Sequence, residues 1–173
     1  MSEENKSKAL ETDLDPAKED SQRDKYLTFL VDTEEYGIAI RYVTEIIGLQ
    51  KITDIPDLPP VIKGVINLRG RIIPVMDMRS RFRLPAREYD SRTCVVVVNI
   101  EARTIGLIVD RVSEVQVIPA EQVEPPPRTT KGGCRYIQGV GKVGDQVKIL
   151  LEVTTLLDEE ELQELESVRS AAR

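Results

Sequence analysis

The chain carries the same pattern twice, which restricts it to a fold built from two similar halves. Residues 105–115, IGLIVDRVSEV, lie over residues 36–46, YGIAIRYVTEI, at a constant offset of 69, placing Gly106 on Gly37, Val112 on Val43 and Glu114 on Glu45. Residues 136–153, YIQGVGKVGDQVKILLEV, lie over residues 61–78, VIKGVINLRGRIIPVMDM, at an offset of 75, with Ile137, Gly139 and Val140 on Ile62, Gly64 and Val65. CVVVVNI (94–100) takes the place of YLTFLV (26–31). The segments keep their order and near-constant offsets, as an internal repeat requires.

Each copy reads as strands. Aromatic residues make up only 4% of a chain that is 40% hydrophobic, so valine and isoleucine carry the apolar load, a composition suited to pleated, half-buried surfaces. Residues 26–31 and 35–40 are two short antiparallel strands. Residues 41–47 shift to helical spacing, with Ile40, Val43 and Ile47 on one side and Glu45 off it, and predict one or two turns of helix. Residues 64–68 and 71–76 form a hairpin with Arg69 and Gly70 at its turn, the glycine supplying the positive φ and Arg69 standing at the exposed tip. Pro74 removes one ladder donor and places the second strand at an edge or a bulge.

About five such strands close a small barrel and leave no open edge. The fold expected is mostly β, with one five-stranded barrel over about 26–83, a second over about 92–153, and a short helix or coil between them ending near Pro85. Apolar side chains of Val43, Val112, Val115 and the hairpins would meet between the barrels and leave a groove for a helix. Residues 154–173 predict an amphipathic helix, capped by Thr154 or Thr155, with acids in the first turn and Leu162, Leu165 and Val168 on one side.

The net charge of −6 is concentrated at the ends. Residues 1–24 hold 8 acidic and 4 basic side chains and residues 158–173 hold 6 and 2, leaving 16 acidic and 18 basic in the body. The first 24 residues have no apolar periodicity and are expected to be a disordered acidic arm. Arg69, Arg71, Arg79, Arg81, Arg83, Arg87 and Arg92 fall within 24 residues. A nucleic-acid surface would interleave stacking aromatics with such a patch, and only Phe82 and Tyr89 lie there, so a solvated or protein-docking face is the better reading. The chain has no histidine, hence no imidazole base and no histidine-ligated zinc. Neither GxGxxG nor GxxxxGK[ST] occurs. Cys94 and Cys134 read as free thiols. No signal-peptide core and no run of roughly 18 apolar residues is present, which makes a cytoplasmic location the default expectation. What remains is surface: hairpin tips, edge strands and a seam.

The segments EEYGIAIRYVTEI, IPDLPPVIKGVINLRGRIIPVMDMRSRF and IGLIVDRVSEV resemble, in this order, those of the CheW family of bacterial chemotaxis coupling proteins, and KGVINLRGRIIPVMDMR is the most specific of them. The resemblance covers about 25–157. It implies two SH3-like five-stranded barrels, no catalysis and no cofactor or metal, and leaves open whether strands are exchanged between barrels. Its implied partners are the cytoplasmic coiled-coil tip of a chemoreceptor and the regulatory domain of the histidine kinase CheA, with membrane contact only through receptors, and a monomer that assembles into arrays. Glu45 and Arg69 match positions that pair in the family, and Val43, Gly64, Val112 and Val115 match positions bordering the receptor groove and kinase contacts. Asn67, Leu68 and Gly106 complete the expected partner-binding set. The same surfaces would serve a relative devoted to another kinase pathway. The acidic arm departs from the family pattern.

Overall fold

The computed structural model describes residues 22–126 and 135–171, with side chains to Glu166. Most of the expected acidic arm, Cys134 and the side chain of Val168 therefore lie outside the described residues. The strands are β1 (Lys25–Val31), β2 (Glu34–Ala39), β3 (Val43–Gly48), β4 (Ile62–Leu68), β5 (Arg71–Asp77), β6 (Cys94–Ile100), β7 (Arg103–Val109), β8 (Arg111–Val117), β9 (Val123–Glu124), β10 (Ile137–Val143) and β11 (Gln146–Leu151). The described residues also form the helices α1 (Met78–Arg81) and α2 (Glu159–Ala171).

The strands form one sheet ordered β8-β1-β2-β11-β10-β9 and another ordered β3-β6-β7-β5-β4. Neither the 26–83 span nor the 92–153 span pairs all its strands within one sheet. The first two strands of each repeat join the later strands of the other, through parallel pairs β2–β11 and β5–β7. Both exchanges use the same register, Gly37 opposite Leu150 and Gly106 opposite Val75. The β1 and β6 registers agree, since Thr28 faces Gly37 and Val97 faces Gly106. An offset of 69 therefore runs through the whole first half of the repeat. Each sheet is barrel-like, although its two terminal strands are not hydrogen-bonded to each other.

Side-chain alternation sorts the apolar residues into three cores. Ile66, Ile73, Val75, Val95, Val97 and Ile108 fill the five-stranded unit. Tyr26, Ala39, Ile118 and Leu150 fill the six-stranded one. The alternate residues, among them Leu27, Phe29, Ile38, Met76, Val96, Val98, Leu107 and Leu151, form a larger core between the sheets. CVVVVNI is apolar on both faces because it divides two of these cores.

Two local expectations are corrected. Residues 41–47 are not a helix. A single 3-10 turn, Ile40–Tyr42, gives way to β3, and a register shift between Val43 and Glu45 inserts the extra residue that imitates helical spacing. The C-terminal helix starts later than expected and is capped by neither Thr154 nor Thr155, which belong to a 3-10 turn. Asp158 Oδ1 accepts the Glu161 N–H at 2.8 Å while Glu161 Oε1 accepts the Asp158 N–H at 2.9 Å, a capping box with aspartate in the role of serine.

Candidate functional site

The hairpin tip between β4 and β5 is a two-residue loop, since Leu68 pairs with Arg71. Arg69 has φ 53° and Gly70 φ 87°, the signature of a type I′ turn, whose twist suits the flanking strands and whose usual occupants are Asn-Gly or Gly-Gly. Glycine was the expected positive-φ residue, but the arginine shares the conformation. A left-handed non-glycine residue costs about 1–2 kcal/mol, so something else must hold arginine here. Asn67 Oδ1 accepts the Gly70 N–H at 2.8 Å and closes the tip. Leu68 packs against the core of the five-stranded unit.

Arg69 Nη1 donates to Glu45 Oε2 at 2.9 Å. The two meet because β3 and the β4–β5 hairpin lie in one sheet, and not through a helix as expected. Glu45 is 28% exposed and Arg69 75%, so the carboxylate is half sheltered and the guanidinium presents most of its surface outward. Such a pair contributes on the order of 0–1 kcal/mol to folding. Its effect is to fix the direction of an exposed cation.

The other expected site residues divide. Val43 and Val112, equivalent in the two repeats, pack against the inter-sheet core, as expected of residues bordering the seam. Val115 does not join it. It lies on β8, the last strand of its sheet, and is 50% exposed. Gly64 and Gly106 are buried. A Cβ at Gly64 would stand 2.3 Å from the Thr53 carbonyl oxygen, and one at Gly106 2.7 Å from Val95, so close packing alone requires glycine at both.

Four exposed apolar residues form two equivalent pairs. Ile46 (44%) and Ile72 (48%) lie on the five-stranded sheet, Val115 (50%) and Val147 (53%) on the six-stranded one, and the repeat offsets superimpose the first pair on the second. Ile46, Ile72 and Val147 were not among the expected site residues. Their signal was present in the repeat alignment, as apolar residues retained at matching solvent-facing positions. Isolated exposed apolar residues are ordinary, whereas the same pair on both units marks two equivalent surfaces.

The arginine cluster disperses. Arg79 and Arg81 are 7% and 8% exposed and bound to carboxylates; Arg69 holds Glu45, and Arg71 reaches the Thr104 hydroxyl at 3.3 Å. Arg79 grips Asp110 with Nε at 3.0 Å and Nη2 at 2.7 Å, and its Nη1 donates to the Pro85 carbonyl at 3.0 Å. Asp110 links β7 of one sheet to β8 of the other. Burial acts to raise its pKa, but the Arg79 bonds and the Asp32 N–H hold it below the usual carboxylate value. Through Asp32, 3.4 Å from Arg79 Nη2, the clamp also joins α1 to the β1–β2 turn of the six-stranded sheet. Among the described residues, no three His, Cys, Asp or Glu side chains gather as metal ligands would.

The described residues thus form a strand-exchanged pair of β units, clamped at a crossover and bearing matched exposed apolar pairs. Residues 25–161 match the family described as CheW-like domain. Chemotaxis protein CheW of Klebsiella aerogenes is 39% identical over 145 residues, covering 83% of this chain and 87% of that protein. Chemotaxis protein CheW of Treponema pallidum is 35% identical, covering 80% and 85%. The crystal structure of the scaffolding protein CheW of Thermoanaerobacter tengcongensis superimposes with a TM-score of 0.74 at 36% identity, covering 80% of this chain and 94% of that one. The chain belongs to the CheW-like domain family and is a chemotaxis adaptor.

Proposed function

We propose that this adaptor couples the cytoplasmic coiled-coil tips of chemoreceptors to the regulatory domain of the histidine kinase CheA, without catalysis of its own, in the cytoplasm and within receptor arrays. The carrying observation is the hairpin tip, where a strained, outward-facing Arg69 is aimed by Glu45 on a turn that Asn67 closes through the Gly70 N–H. Val43 and Val112 border the receptor groove, Gly64 and Gly106 keep the strands close enough to shape it, and Leu68 anchors the tip. The equivalent pairs Ile46/Ile72 and Val115/Val147 suit a protein that must hold a like-folded neighbour on each side. No described helix is long and apolar enough to cross a membrane.

Contacts of this kind bury about 1,200 Å² or less, give micromolar affinity in isolation, and gain strength in arrays through avidity. Titration calorimetry against the isolated kinase regulatory domain, beside kinase assays on receptor-containing membranes, tests the reading. Micromolar binding and receptor-dependent kinase activation are expected with the unmodified chain, and Ile46→Asp with Val147→Asp should abolish the first. Failure to bind at high micromolar concentration would sink the kinase contact.

A further inference from the structure

Among the described side chains, helix α2 is held by two leucines and by its acids. Leu165 is 7% exposed within the inter-sheet core, and Leu162 packs at its margin. Arg81 of α1 bonds Glu161, Arg103 at the start of β7 bonds Glu166 at 2.6 Å, and Arg135, ahead of β10, lies 3.7 Å from Asp158 and 3.9 Å from Glu161. Arg81 and Arg103 belong to elements of the five-stranded unit and Arg135 leads into the six-stranded one. The helix thus bridges both units.

Its fit is incomplete where it is most buried. Arg81 is 8% exposed and gives one guanidinium N–H to Glu161, but its buried Nε finds no acceptor. The other Glu161 oxygen accepts the Asp158 N–H in the capping box and does not bond Arg81 Nε. A buried donor left unpaired is costly. The other ion pairs are well exposed, Arg103 with Glu166 at 31% and 58%, Arg135 with Asp158 at 46% and 41%, and such pairs hold little. A helix of 13 residues is marginal without its seat.

We propose that the surface beneath α2 is a docking seat for an acidic amphipathic helix of a partner protein, and that α2 is its replaceable occupant in cis. The three arginines and the apolar cluster define the ligand: leucines three residues apart, flanked by carboxylates, one of which is free of capping and takes Arg81 through both oxygens. Occupancy by α2 lowers the apparent affinity of the seat by the fraction of time it is covered.

The test uses a fluorescently labelled peptide, LDEEELQELESVRSAAR (157–173), titrated into the full chain and into its Glu166→Arg variant, in which α2 is repelled by Arg103. The variant should bind the peptide at least about fivefold more tightly than the unmodified chain, and adding Arg103→Glu, which removes the seat's cation, should weaken that binding by about tenfold. Equal affinity for both chains, indifference to Arg103→Glu, or no binding would overturn the proposal. Hydrogen exchange on the unmodified chain decides independently of any variant's folding: amides of α2 should exchange well before those of β6 and β7, and equal protection would make α2 a fixed part of the core.

Discussion

The two barrel-like units share one backbone plan but not one interior. Where the five-stranded unit buries Val97, Ile66 and Ile73, the repeat offsets place Thr28, Gly141 and Lys148 in the six-stranded unit. Thr28 spends its hydroxyl on the Glu114 carbonyl at 2.8 Å. Gly141 leaves room that Ile118 fills, its Cγ2 3.1 Å from where a Cβ would stand. Lys148 is 3% exposed, paired with Glu35 and bonded to Gln146 at 3.0 Å, and burial lowers its pKa. Register and bulges survive this divergence, so the backbone plan is set by strand pairing and by the inter-sheet core that both units share. Each interior needs only to be filled and satisfied.

The largest effects should come from exchanging these interiors. Ile73→Lys would bury a charge with no carboxylate, and should cost about 3–5 kcal/mol in urea unfolding. The reverse exchange, Lys148→Ile, should be neutral or stabilising by up to about 4 kcal/mol, because it removes a buried ion whose desolvation offsets its pairing and leaves Glu35 partly hydrated. The sign with pH follows. Lys148 has a lower pKa folded than unfolded, so the unfolded chain binds more protons, and stability should rise as pH climbs from that lowered value toward about 10.4. Melts of Lys148→Ile should lack this rise. Equal losses in both directions would mean that the lysine is required by the fold.

The crossovers differ as well. Asp32, Arg79 and Asp110 form the clamp at one, while the equivalent positions at the other are Glu101, Thr154 and Arg41, where Arg41, among the described residues, bonds the neighbouring Tyr42 hydroxyl at 3.2 Å. Asp110→Asn should cost about 3 kcal/mol by leaving Arg79 buried and underpaired, against about 0.5 kcal/mol or less for the exposed Arg41→Ala. Because the folded Asp110 pKa is depressed, its contribution is present above the ordinary carboxylate value of about 3.9 and is lost as pH falls through the folded value. The variant should therefore show a flatter acid limb in thermal melts.

Glycines at matched hairpins give a smaller contrast. Gly64→Ala drives a Cβ to 2.3 Å from the Thr53 carbonyl and should cost about 2–3 kcal/mol, whereas Gly144→Ala, at a tip with open space and φ 60°, should cost about 1 kcal/mol. Denaturant midpoints of the two variants measure the difference.

The repeat was legible because offsets in sequence report equivalence directly. The exchange was not, since an offset relates Gly37 to Gly106 without saying whether Gly37 faces Val75 or Leu150. The segment around Glu45 reads as helix because a bulge adds one residue to the strand period, and a bulge carries no composition of its own. Asp158 is hard to read as a cap from sequence because Thr154 and Thr155 precede it and only the geometry of the 3-10 turn excludes them. Val115 was expected in the seam on its apolar character alone, which is the same for a covered strand and an edge. The Glu45–Arg69 pair came from the family resemblance, and its geometry adds what the resemblance lacked, the left-handed arginine.

The two hairpin tips give the smallest stability effect and the sharpest functional one. Gly144 meets its positive φ without strain, while Arg69 meets the same demand at a cost that its Glu45 bond returns only in part. Asparagine tolerates the left-handed region and forms the favoured Asn-Gly type I′ turn. Arg69→Asn should therefore raise stability, or leave it unchanged, within about 1 kcal/mol, while receptor-coupled kinase activation is lost. Arg69→Lys keeps the charge but not the planar fork and should recover only part of the coupling. Glu45→Ala frees the guanidinium and should reduce coupling with a melting temperature close to that of the unmodified chain. If Arg69→Asn destabilises by more than the ion pair can account for, the arginine is structural. If the variant couples as well as the unmodified chain, the strain at this tip serves neither receptor nor kinase.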